Sequence, residues 1–89
     1  MGRPAKEDTP VYNRLEAVRL HRGLTRQQLA DEVGVHYQTI GYLERGEYSP
    51  SLSLALRLAG ALDIAVGDVF SLHPWVDESI DLPSPTPAR

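Results

Sequence analysis

The densest recognition chemistry in this 89-residue sequence lies between His36 and Arg45. On a wheel of 3.6 residues per turn, Gln38, Gly41, Tyr42 and Arg45 share one side, flanked by Tyr37 and Thr39, with His36 at the entry. Ile40, Leu43 and Glu44 take the other side. A glutamine amide sets a donor beside an acceptor, and a tyrosine carries a hydroxyl on an apolar ring. Such groups suit the reading of hydrogen-bonding edges and methyl groups. The rest of the sequence gives no foothold for catalysis. His21, His36 and His73 lack ligand spacing, and there is no cysteine to join them. No nucleophile–base arrangement, glycine-rich phosphate loop or pair of buried acids stands out. The expectation is a protein with no metal, no cofactor and no enzymatic activity.

Two short amphipathic patterns place these residues. Thr25-x-x-Gln28 reads as a capping box, in which the threonine oxygen and the glutamine side chain satisfy each other's free backbone donors. Leu29, Ala30 and Val33 then recur at helical spacing, predicting a helix over residues 26–33. Gly34 supplies the left-handed residue that ends it. After a bridge of about two residues, a second helix is predicted over residues 37–45, closed by Gly46. Helix, tight turn and helix of this size is the arrangement that lays its second helix in the major groove of DNA.

The pattern extends well beyond the turn. Leu15-x-x-x-Arg19-x-x-x-Gly23-Leu24-Thr25-x-x-x-Leu29-Ala30-x-x-x-Gly34-Val35-x-x-x-Thr39-Ile40-x-x-x-Glu44-x-Gly46-x-x-x-Pro50-Ser51-Leu52, continuing through Ala55-Leu56-x-x-Ala59-x-Ala61-Leu62 to Val69-Phe70, resembles the helix-turn-helix domain of phage repressor and Cro-type transcriptional regulators, also called xenobiotic-response-element-type. The resemblance covers roughly residues 13–70. It implies an all-α, compact five-helix fold and a sequence-specific regulator, a repressor rather than an activator, that binds double-stranded DNA. It also implies that Tyr37, Gln38 and Tyr42 read base edges, with Gly41 letting the backbone approach. Glutamine suits adenine, and a tyrosine ring suits a thymine methyl. Phosphate contacts are expected from Arg26, at the start of the first of the two helices, and from Thr39, Arg45 and Tyr48 beside the readers. Family members often carry glutamine where this chain has Arg26.

Two charges fall on apolar stripes, Arg19 four residues after Leu15 and Glu44 four after Ile40. A lone buried charge costs several kcal/mol, about 3 or more, so the two are expected to pair. The resemblance implies the same pair.

The remaining elements follow from punctuation. A first helix starts at Thr9-Pro10 or at the capping-box-like Asn13-x-x-Glu16 and ends at Gly23. A loop at residues 47–50 leads into a helix over 52–62, apolar most of the way round. Leu52, Ala55, Leu56, Ala59 and Leu62 form one stripe and Leu54, Leu58 and Ala61 a second. A short fifth helix is expected near residues 66–70. Residues 1–8 read as a flexible arm, 9–72 as the DNA-binding domain, and 73–89 as a proline-rich acidic tail, ordered in part to about residue 80. Repressor-type domains pair across a twofold axis, so a homodimer on an inverted-repeat operator is expected. Its interface would use Leu54 or Leu58 with Val69, Leu72, Trp75 and Val76, unless Trp75 folds back on its own domain.

Net charge is −3. Residues 1–50 balance seven Lys/Arg against seven Asp/Glu, whereas residues 51–89 hold two against five. The reading half is therefore neutral and the acid lies behind it. That weak basicity leaves open an antitoxin-like regulator or a protein–protein adaptor on the same helical fold. No signal peptide or membrane span is read here, and the expected location is cytoplasmic.

Overall fold

The structure, a computed structural model, describes residues 10–75. Its element order is β1 (Tyr12–Asn13), α1 (Leu15–His21), α2 (Arg26–Val33), α3 (Tyr37–Glu44), α4 (Leu52–Leu62), a 3₁₀ turn (Val66–Asp68) and β2 (Phe70–Ser71). Four α-helices therefore make a helical helix-turn-helix fold. The expected arm, Val76 and the tail beyond it lie outside the described residues.

The helix starts are built from local side chains. Thr25 accepts from the Gln28 amide at 3.0 Å while Gln28 returns its side-chain oxygen to the Thr25 amide at 2.8 Å. This closes the capping box of α2. Gly34 ends α2 at φ 79°, where a side chain would be strained. Ser51 caps α4 by accepting from the Leu54 amide. Between the helices, Leu15, Val18, Leu29, Ala30, Val33, Ile40, Leu43, Leu54, Leu58, Leu62 and Val69 form one core.

Three expectations are corrected. Of the two starts expected for the first helix, Thr9-Pro10 is set aside and the one at Asn13 agrees with the structure: the helix begins at Leu15, because residues 12–13 are extended. Asn13 keeps a role at its start, since its Oδ1 accepts from the Leu15 amide at 2.9 Å while its Nδ2 donates to the Leu43 carbonyl. The fifth helix is only a 3₁₀ turn. β-Branched Val66 and Val69 bracket Gly67, a poor helix nucleus, and the chain then pairs antiparallel with β1, Tyr12 opposite Ser71 and Asn13 opposite Phe70.

The third correction concerns pairing of subunits. Leu54, Leu58 and Val69 lie in the chain's own core and have no surface to offer a partner. α4 turns the other way, leaving Leu52 73% and Leu56 52% exposed. The buried side takes Ala55, Ala59 and Leu62 from the first expected stripe and Leu54 and Leu58 from the second, so periodicity alone does not choose the buried face. Packing of α4 against α2 and the 3₁₀ turn decides it. Leu72 is exposed, and the Arg14 guanidinium lies 4.7 Å from the Trp75 ring centre, so that ring contacts its own domain. Among the described residues no helix is long and apolar enough to cross a membrane.

Candidate nucleic-acid interface

α3 is held from both ends. At its start His36 stands in the N-cap position, and its Nδ1 accepts from the Gln38 amide at 3.1 Å. Its ring stacks on Tyr37, centroids 4.8 Å apart and planes 29° from parallel. Sequence reasoning missed this cap because the usual signal is a short oxygen side chain. The only trace of it in the sequence is a ring with an sp² nitrogen two residues before Gln38.

At the other end Glu44 is enclosed by arginines. Arg19 Nε donates to Glu44 Oε2 at 2.6 Å, and Arg26 Nε donates to Oε1 at 2.9 Å. Arg19 Nη1 also reaches the Leu24 carbonyl at 2.8 Å, tying α1 to the start of α2. The hydrogen bond that Arg26 donates to Glu44, and secondly the charge of Glu44, push the Arg26 pKa above its already high usual range. Arg26 is thus a fixed cation at the edge of α3, with one face given to Glu44 and a looser approach to Glu16 at 3.8 Å.

Outward, α3 presents Tyr37, Gln38 and Tyr42 to solvent. Together with Arg26, Gly41 and Arg45 they line one shallow groove of about 170 Å³. Of the residues expected to read or hold DNA, six therefore meet there. Thr39 is half-buried beside them, and Tyr48 is exposed in the following loop. Gly41 departs from expectation. It is buried rather than open, because the Arg45 guanidinium covers it. Arg45 in turn pairs with Glu47, Nε to Oε2 at 3.2 Å.

Among the described residues, the other arginines are committed elsewhere. Arg57 donates to the Val33 carbonyl at 2.5 Å, Arg22 to Leu62 at 2.8 Å, and Arg14 to Asp68 at 2.7 Å. Each closes a helix or turn end, where cations suit the exposed carbonyls. Arg26 and Arg45 are therefore the cations that border the groove.

The pattern of the helix-turn-helix family matches residues 15–69, the segment that runs from α1 to the end of the 3₁₀ turn. The chain belongs to the helix-turn-helix family. An uncharacterized HTH-type transcriptional regulator of Bacillus subtilis is 36% identical over 68 residues, covering 76% of this chain and 97% of that one. The immunity repressor protein of Bacillus phage phi105 is 39% identical over 68 residues, 76% of this chain but 47% of the repressor. Among solved structures, the restriction-modification controller protein C.AhdI of Aeromonas hydrophila is similar, with a TM-score of 0.60 and 38% identity over 62% of this chain and 83% of that one. In this helix-turn-helix chain α2 and α3 are the paired helices, and the groove lies on the outward side of the second.

Proposed function

We infer that this helix-turn-helix chain regulates transcription by binding double-stranded DNA sequence-specifically, with α3 in the major groove. The observation that carries the reading is the groove on the outward face of α3. It gathers Tyr37, Gln38 and Tyr42 with the fixed cation of Arg26 at its edge. Gln38 bonds an adenine edge, and the tyrosines supply hydroxyls and ring edges for neighbouring bases. Arg26, Thr39 and Tyr48 contact phosphates on either side. Likeness to a phage immunity repressor supports repression as the direction of control.

One α3 covers too few base pairs for tight binding, so two copies act on an inverted repeat with half-sites about 34 Å apart. Leu52, Leu56 and Leu72 are among the exposed apolar side chains available for that pairing, as is Leu20 on α1. The expected working compartment is the cytoplasm. The net charge of −3 favours one second reading, an adaptor that binds protein through the tyrosine face.

Selection of bound sites from a random duplex pool separates the two. A regulator enriches an inverted repeat, and its affinity falls steeply with salt as counterions are released. Arg26→Ala then weakens all duplexes alike and lowers the salt slope by about one counterion. An unenriched pool with negligible duplex affinity leaves only the adaptor.

A further inference from the structure

Resting on that DNA-binding reading, we propose that Arg45 reads a guanine base rather than holding a phosphate. Its side chain runs back along α3 and lies over the middle of the reading face. Nη1 sits 3.2 Å, and Cζ and Nη2 3.9 Å, from the point that a Cβ on Gly41 would occupy. Cζ is also 5.3 Å from the centre of the Tyr42 ring. The guanidinium therefore has a floor, Gly41, and a wall, Tyr42. It shares its groove with Gln38 and Tyr37, not with the flanking loop.

Glu47 completes the arrangement. Its carboxylate takes the Nε and Nη2 hydrogens of Arg45, at 3.2 and 3.5 Å. That leaves the end-on pair of nitrogens, Nη1 with the second hydrogen of Nη2, toward the groove. Two parallel N–H donors on a planar fork are the complement of guanine O6 and N7. Lysine serves a phosphate as a point charge and can also reach guanine O6 or N7, but it lacks the planar fork that meets both acceptors in one fixed geometry. Exchanging Arg45 for lysine therefore spares a phosphate contact more than a guanine one. Glu47 is then a positioning residue that sets the angle of the fork. Gly41 is the position where an added Cβ, 3.2 Å from Nη1, would shift the fork by a few tenths of an ångström.

The test is site selection from a random duplex pool with the wild type, Arg45→Lys and Gly41→Ala. Both variants keep the net charge of the reading face or its arginine, and Ala favours the helical backbone. Thermal melts followed by circular dichroism establish that each variant is folded. The expected result is a guanine at one position of each half-site for the wild type. Arg45→Lys then loses roughly 10- to 100-fold of the preference at that position, with its affinity for scrambled duplex unchanged. Gly41→Ala, which displaces the guanidinium only slightly, loses less at the same position. Retention of the full guanine preference in Arg45→Lys overturns the proposal, as does a wild-type site with no conserved guanine. A wild type that enriches no sequence overturns the DNA-binding reading itself and this proposal with it.

Discussion

The last residue of α3 and the residues just past it carry the same chemistry in opposite settings. Glu44 and Arg19 form an ion pair with side chains 1% and 7% exposed, whereas Arg45 and Glu47, just beyond, pair with side chains 50% and 54% exposed. The buried carboxylate has a second arginine and no route to water, so it fixes α1, α2 and α3 against one another. The exposed pair exchanges with solvent, holds little energy and leaves a fork of donors facing outward. Burial thus divides an enclosed structural pair from a pair open to the candidate interface within four residues of sequence.

The largest effect should come from breaking the buried side. Arg19→Ala leaves the Glu44 carboxylate enclosed with Arg26 as its remaining partner, and should cost about 3 kcal/mol of stability. Urea denaturation at neutral pH checks it; a loss under about 1 kcal/mol means that water reaches Glu44 and the contrast of settings is overstated. A smaller effect belongs to the start of α3, at the opposite end from both pairs. His36→Ala removes the acceptor of the Gln38 amide and should cost about 1 kcal/mol, with His36→Asn recovering most of it. Equal melting temperatures for all three chains rule the cap out. The smallest effect is expected at the exposed pair. Glu47→Ala should change stability by less than about 0.5 kcal/mol, while scrambled duplex binds somewhat more tightly because a negative charge has left the reading face. Calorimetry together with a duplex titration compares these two numbers directly.

What the sequence made legible follows the same division. The capping box at Thr25 and Gln28 and the left-handed Gly34 are local signals, and α2, its turn and α3 follow from them. Arg19 and Glu44 could be paired from sequence because two charges on apolar stripes have few ways to be buried. The face of α4 was not legible. Leucines at 52, 54, 56, 58 and 62 satisfy two helical stripes, and only contacts with distant elements select Leu54, Leu58 and Leu62 for the core. The ladder of β1 and β2 was hidden for a related reason, since strands of two residues have no periodicity to detect. At the candidate site, residue types pointed to Tyr37, Gln38 and Tyr42. Nothing local said that Arg45 would fold back over Gly41, because that depends on where Glu47 lies after the helix has ended.

The central claim is that the outward face of α3 reads DNA, and Gln38→Ala tests it most directly. Fluorescence anisotropy would follow wild type and variant on a selected site and on a scrambled duplex at the same salt. The account predicts a loss of roughly 1–3 kcal/mol on the selected site, relaxed preference at one base pair, and unchanged binding to the scrambled duplex. Identical isotherms for both proteins on the selected site would contradict it.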